Sequence, residues 1–409
     1  MISLTFEWII SNTQALDCSF FCGKISDMKN AFLIALITAG LFLGCSKDLI
    51  APAELSNNPL ESQLDKAIDA LVLKHRRQLN TVGFTLGVWK NGESHIYGYG
   101  EMEKGSGRVP DAHTFYEIGS ITKTFTATAT VQWLGEKGLS VDSPIRPFLP
   151  SVIPTLSKGG VEVTFKHLLN HSSGIAYFPS NLSLLINPAK ALANYSEAKL
   201  FEYLEKGKLN ATPGTVYEYS NTAMGLLGTI LARENKKSYG TYVEEKVCVP
   251  LGLYETKAVL SSTEKMRLSK GHKGERTVDY WESLGALDGA GILRSTTADL
   301  LKYGAMVINP PNSALGQAMR TCQIPTFKDS KNLGETAEMC LGWVSLTFKD
   351  AAEPVLLHDG GTGGFNTSLI VDKSKKLVLV VCYNSYNGGN KEEAEARLAL
   401  NDDLLALLK

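Results

Sequence analysis

Ser120-Ile121-Thr122-Lys123, Tyr219-Ser220-Asn221 and His358-Asp359-Gly360 follow one another along this chain, and their residue types point to nucleophilic serine chemistry. A Ser three residues before a Lys at the start of a helix sets an alcohol and an amine on one face, one above the other. The spacing alone is weak, because it also occurs at Ser26/Lys29, Ser196/Lys199 and Ser262/Lys265. Setting distinguishes Ser120: apolar Phe115–Ile118 runs into Gly119 before it, and Thr124–Ala129 continues after Lys123 towards Val131 and Leu134 as a buried helix. Tyr219/Asn221 is the only Tyr-x-Asn in the chain. A serine hydroxyl is a poor nucleophile near neutrality and needs a neighbouring base. Lys123 serves if neutral, or polarises the site if charged, and burial lowers its pKa. Tyr219 is the second candidate, as a phenol that loses its proton beside positive groups. Ser120 at a helix N-terminus also offers its own N–H to a developing oxyanion.

With these residues on the page, the chain resembles the penicillin-recognising serine enzymes of the class C β-lactamase and DD-peptidase type, which include esterases and D-amino-acid peptidases. The resemblance spans roughly residues 60–409. It extends through His167–Gly174, which is similar to the family's "LLxHxSG" segment, Pro213-Gly214, Leu226–Gly228, Pro250–Leu253, Arg294–Leu300 and Gly360–Phe365. It implies that Ser120 forms an acyl-enzyme, that Tyr219 acts as base for attack and for deacylation, and that Asn221 binds the acyl carbonyl and holds Lys123. It also implies a second oxyanion N–H from Gly361, on a strand where Gly360 lets substrate backbone lie close. His358 stands where β-lactamases of the family carry Lys; peptidases and esterases often have His there. A His titrates near neutrality, so carboxylate-bearing substrates are expected to bind better below about pH 6.5 and β-lactam turnover to be slow. His171 is read as a turn-shaping residue, and Trp281 and Phe365 as core aromatics outside the catalytic set.

The elements that must position these groups are legible in outline. Leu64–Leu79 has helical periodicity. Phe84–Trp89 and Ser94–Tyr99 read as strands around an Asn-Gly turn. Residues 120–305 read as mainly helical, including a helix over Thr222–Glu234. Leu341–Thr347, Val355–His358, Asn366–Val371 and Leu377–Tyr383 read as strands, and Glu392–Leu408 as a closing helix. Strands at both ends with helices between predict an α+β fold (an α/β sandwich). Its central antiparallel sheet is built from N- and C-terminal strands and flanked by helices, with a mainly helical lobe inserted between.

A chain of 409 residues with 44% hydrophobic content buries a large core. A net charge of −1 without a basic tract argues against nucleic acid as a partner. No Cys/His spacing suggests a metal, and no cofactor is expected. Residues 1–27 read as an upstream extension, 28–45 as a lipoprotein-type signal ending in Leu-Gly-Cys, 46–58 as a polar tether and 59–409 as the catalytic domain. Cys45 is then the lipid-bearing residue and the protein an exported monomer anchored on the periplasmic side of a bacterial membrane. Of seven cysteines, Cys322 and Cys340 bracket a short polar loop and are candidates for a disulfide; buried free thiols are the alternative. The expected substrate is an amide beside a D-amino acid, such as the D-Ala-D-Ala end of peptidoglycan, or a β-lactam. An esterase or D-aminopeptidase is the nearest rival, and a non-catalytic β-lactam sensor or cell-wall-binding module the rival of another class.

Overall fold

Chain ends and sheet edges explain the architecture. The computed structural model describes residues 55–408 apart from 207, 275, 348–352 and 389; Cys45 and most of the segments expected to be a signal and a tether lie outside them. Helix α1 (Gln63–Leu79) starts at Ser62, whose hydroxyl accepts from Asp65 N–H while the Asp65 carboxylate accepts from Ser62 N–H, a reciprocal cap. Strands β1 (Gly83–Lys90) and β2 (Glu93–Gly100) are joined by Asn91 and Gly92, both at positive φ (53° and 103°), the backbone a two-residue hairpin turn requires. Strands β5 (Ala337–Met339), β6 (Val344–Leu346), β7 (Val355–Gly361), β8 (Asn366–Asp372) and β9 (Leu377–Tyr383) complete one antiparallel sheet in the order β2-β1-β9-β8-β7-β6-β5. The N- and C-terminal segments meet where Phe84 faces Tyr383 and Lys90 faces Leu377. That is the sheet expected from the sequence.

Two layers of helix cover it. On one face α1 and the C-terminal helix α6 (Lys391–Leu407) bury Ile68, Val72, Leu400 and Leu404 against Leu86, Val88, Leu379 and Val381. On the other, helix α4 (Thr297–Ile308) lays Leu300 and Leu301 over Val378 and Val380. The inserted lobe centres on α2 (Thr122–Glu136), packed against α3 (Asn221–Asn235) and α5 (Ala314–Cys322). Residues 122–130 of α2 are buried all round, as a helix in the middle of a domain must be. Its threonines fit there because their hydroxyls turn back onto the helix: Thr126 donates to Thr122 O, Thr128 to Thr124 O and Thr130 to Thr126 O.

Several features were not read from the sequence. Strand β5 was missed, as was a two-stranded ribbon in which β3 (Phe115–Glu117) pairs with β4 (Arg294–Thr296), 177 residues later at its nearest pairing. Cys322 and Cys340 are both buried free thiols, so of the two open readings the disulfide is excluded; Cys340 Sγ donates to Gln323 O instead.

Candidate active site

Ser120 sits in a turn rather than at the helix start. Gly119–Ile121 form a single 3₁₀ turn, and α2 begins at Thr122. Ribbon and sheet hold this turn from three sides. Ile118 N–H donates to Leu293 O, Leu293 N–H donates to Thr122 Oγ1, and Thr367 Oγ1 on β8 donates to Ile118 O. Gly119 has φ 48°, and a Cβ there would lie 2.7 Å from Gly361 N; a Cβ on Gly360 would lie 1.9 Å from Ile118 O. Glycine at both positions therefore lets β7 and the Ser120 turn touch, which brings the Gly361 backbone beside Ser120. That approach is what a pair of oxyanion N–H donors requires.

Lys123 is fully buried on the first turn of α2, beneath a partly exposed Ser120. Its Nζ lies 2.8 Å from Ser120 Oγ, 2.8 Å from Asn221 Oδ1 and 2.7 Å from Ala290 O. The carbonyl oxygens of Asn221 and Ala290 can only accept. A neutral amine satisfies both with its two N–H bonds and keeps its lone pair for the Ser120 hydroxyl. Burial drives Lys123 in that direction, well below the ordinary lysine range.

Tyr219 approaches from the segment before α3, its ring 4.8 Å from Lys123 Nζ. The phenol is held well above its ordinary pKa. Burial is the main cause, a hydrogen bond with Ser120 opposes it, and Tyr177, Tyr217 and Asp359 add to the rise. The expectation that Tyr219 ionises easily is therefore corrected: the amine beside its ring is that of Lys123, which burial itself drives towards the neutral form.

His358 projects from β7 and is buried, its Nδ1 2.7 Å from Asp359 O. A carbonyl only accepts, so Nδ1 carries the proton and Nε2 is left as an acceptor. Burial, reinforced by Lys123 and opposed by the Asp359 hydrogen bond, pulls His358 down to about 3. The expectation of a charge change near neutrality at His358 is overturned; the imidazole is neutral from about pH 4 upwards. A linkage result follows. His358 has a folded pKa below its unfolded value, so the unfolded chain binds the extra proton and stability falls as pH drops from about 6.5 towards 3. His358→Gln should remove about one proton of uptake on unfolding at pH 5, flattening stability against pH by roughly 1.4 kcal/mol per pH unit in that window. Denaturant melts at pH 5 and pH 7 measure this; equal slopes in both proteins would refute it.

His171 belongs to the site although its sequence reading was structural. It is fully buried at φ 59°, uncommon for a non-glycine residue. It grips the Tyr219 dipeptide from both ends: Glu218 N–H donates to His171 O at 2.8 Å, and Ser220 N–H donates to His171 Nδ1 at 3.1 Å. Its ring lies against Tyr219 with centroids 4.4 Å apart, and Tyr177 follows at 5.9 Å from Tyr219. The turn reading was right for the backbone but missed the ring, because nothing local in the sequence links residues 171 and 219. Phe365 is a core aromatic, edge-on to Tyr116. Trp281 is partly exposed at the edge of the core and stands beside Gly363, with its indole Nε1 3.1 Å from where a Cβ would be. Among the described residues no cluster of His, Cys, Asp and Glu is arranged to hold a metal ion.

Ser120, Lys123, Tyr219, Asn221, His358, Gly360 and Gly361 thus converge from three separated segments where the sheet meets the helical lobe. This geometry defines a hydrolase of the Ser-x-x-Lys class. The profile of the family described as Beta-lactamase matches residues 66–403, and the chain belongs to that family. Curated relatives include the D-alanyl-D-alanine-carboxypeptidase/endopeptidase AmpH of Escherichia coli K12, 25% identical, with 72% of this chain and 77% of the relative aligned. A beta-lactamase of Pseudomonas fluorescens is 24% identical over 83% of this chain and 98% of its own. Penicillin-binding protein 4 of Amycolatopsis lactamdurans is 25% identical over 77% and 83%. Among solved structures, a beta-lactamase/D-alanine carboxypeptidase from Pseudomonas syringae superposes with a TM-score of 0.72 at 21% identity, over 84% of this chain and 99% of that one. A class C beta lactamase from Rhodobacter sphaeroides gives 0.71 at 20%, over 84% and 99%. The protein is a serine hydrolase of the penicillin-recognising type.

Proposed function

We propose that this protein cleaves amide bonds beside a D-amino acid through an acyl-enzyme on Ser120, as a D-alanyl-D-alanine carboxypeptidase/endopeptidase that β-lactams acylate and leave slowly. The observation that carries the reading is the three-way contact of Lys123 Nζ with Ser120 Oγ, Asn221 Oδ1 and Ala290 O. The neutral amine takes the Ser120 proton as Oγ bonds to the substrate carbonyl carbon, while the N–H groups of Ser120 and Gly361 receive the oxyanion. The C–N bond then breaks, and the departing amine takes a proton passed from Lys123, with the Tyr219 hydroxyl as relay. Water attacks the ester by the same route in reverse, and Ser120 is restored. Tyr219 thus acts as a hydrogen-bonding phenol, and Asn221 fixes Lys123 while its amide N–H₂ is available to the acyl carbonyl.

Labelling with a fluorescent penicillin, followed by timed loss of label, tests the reading alongside release of D-Ala from a D-Ala-D-Ala peptide. Expected are Ser120-dependent labelling, release over minutes or longer and faster peptide turnover. Rapid cephalosporin turnover without accumulation of label would identify a working β-lactamase instead.

Export as a lipoprotein through Cys45 is part of the proposal. Three acyl chains, two on a diacylglycerol and one on the amine, would anchor the protein stably where one chain would not. Cys45→Ser should shift the protein from the membrane fraction to the soluble one, or block its processing; wild-type protein wholly in the soluble fraction would remove the anchor from the proposal.

A further inference from the structure

The ribbon β3–β4 carries a buried ion pair that the chemistry above does not use. Glu117 on β3 and Arg294 on β4 stand opposite each other in register, and both are buried. Arg294 Nη2 lies 3.8 Å from Glu117 Oε1, too far for a hydrogen bond. Each group takes hold of Trp281 instead. The Trp281 N–H donates to Glu117 Oε1 and Arg294 Nη2 donates to Trp281 O, both at 2.6 Å. Arg294 Nη1 donates to Ala258 O. Glu117 Oε2 is buried without a partner and stands opposite the Thr362 hydroxyl, which is buried and unpartnered as well. A buried ion pair adds little net stability once its desolvation is counted, so what this one holds in place matters more than its strength.

The pair holds the middle of segment 278–284, which borders the turn after Gly361 and the turn of Ser120. At one end Val278 fills the space where a Cβ on Gly364 would be. In the middle the Trp281 indole stands beside Gly363. At the other end Leu284 Cδ1 lies 3.3 Å from where a Cβ on Gly291 would be, a point 3.6 Å from Gly119 C. The residues that follow, Gly285–Ala290, have holds of their own. Ala286 N–H donates to Tyr195 O, Thr126 Oγ1 donates to Gly289 O, and Leu284 N–H donates to Asp288 Oδ1. Ala290 O therefore stays beside Lys123 without help from the ion pair, whose grip is on Trp281.

We propose that Glu117 and Arg294 are positioning residues: they hold Trp281 at the border of the active site, where its ring binds the part of a peptide substrate that reaches past Gly363. The pair thus acts on substrate binding and leaves the chemistry at Ser120 alone. Gly363 is two residues from Gly361, at most about 7 Å of chain, so a peptide reaches Trp281 and an acetyl ester does not. This inference rests on the acyl-enzyme reading and adds to it the wall that a peptide meets.

The full chain is tested with two substrates, the peptide diacetyl-L-Lys-D-Ala-D-Ala and the small ester p-nitrophenyl acetate. In Glu117→Ala the peptide KM should rise about tenfold with kcat within about threefold of wild type, and the ester should keep both constants. Glu117→Gln retains an acceptor for the Trp281 N–H and should bring the peptide KM back to within about threefold of wild type. Trp281→Ala should raise the peptide KM by a similar factor, and adding Glu117→Ala to it should raise it no further, because one residue acts through the other. An unchanged peptide KM in Glu117→Ala, equal losses on both substrates, or effects that multiply in the double variant would overturn the inference while leaving the acyl-enzyme intact. Should Glu117→Ala not fold, acrylamide quenching of Trp281 decides, read as the difference between wild type and Trp281→Phe. Benzylpenicillin bound on Ser120 should shield the indole, and quenching that does not change would overturn the inference. Wild-type protein that takes no penicillin label and turns over neither substrate would sink the acyl-enzyme reading itself.

Discussion

Ser120→Ala should fold normally, fail to take a penicillin label and lose ester turnover by on the order of 10⁴-fold or more, the scale seen when a covalent nucleophile is removed. The hydroxyl is partly exposed, and its hydrogen bonds are with Lys123 Nζ at 2.8 Å and with Tyr219. Removing it leaves the amine its contacts with Asn221 Oδ1 and Ala290 O, so the melting curve should barely move. Ser196→Ala and Ser262→Ala are the controls. Ser196 accepts a long hydrogen bond from Lys199 N–H at 3.4 Å, and Ser262 lies on a four-residue helix with no buried residue. Their activity should be that of the wild type. A penicillin label retained on Ser120→Ala would require another nucleophile and refute the assignment of the site.

How much of this was legible before the structure follows from how local each signal is. The hairpin Phe84–Tyr99 and the long terminal helices carry their own turn chemistry and periodicity, so they were readable. That the two ends of the chain meet in one antiparallel sheet followed from strands clustering at both ends. Strand β5 is three residues of Ala, Glu and Met, types without strand preference, and forms only because β6 is there to pair with it. The ribbon β3–β4 joins segments far apart in sequence, and no local pattern announces it. The candidate site divides in the same way. Residue types and motif spacing picked out Ser120, Lys123, Tyr219, Asn221 and His358, and the family resemblance added Gly361. Their protonation did not follow, because it depends on burial and on what stands nearby. His358 was expected to titrate near neutrality as a free imidazole does, whereas the packed site holds it neutral, at about 3. Tyr219 was expected to ionise through neighbouring cations, whereas burial holds its phenol neutral, with Tyr177, Tyr217 and Asp359 adding to the rise. His171 was read as backbone because its partner Tyr219 lies 48 residues further on, and only folding puts the two rings 4.4 Å apart.

These protonation states lead to the second large effect. Lys123→Met keeps an unbranched side chain of similar length in a fully buried slot and removes the amine. Acylation should slow by on the order of 10²–10⁴-fold, the usual worth of a general base. The pH profile of the wild type separates Lys123 from Tyr219 as that base. A lysine whose folded pKa is depressed is neutral above that pKa, so acylation falls as pH drops through it and levels off above it. A phenol whose pKa is raised is neutral below it, so with Tyr219 as base the rate would climb through alkaline pH and reach no plateau before about pH 10. Single-turnover acylation by a neutral ester reads this directly, since its leaving group carries no titrating charge. The expected curve is flat across mildly alkaline pH in both wild type and Tyr219→Phe. Tyr219→Phe should lose more with an anilide than with an activated ester, because only the anilide needs a proton delivered to its leaving nitrogen. A wild-type rate still rising tenfold per pH unit at about pH 9, and abolished by Tyr219→Phe with both substrates, would return the base role to the phenol.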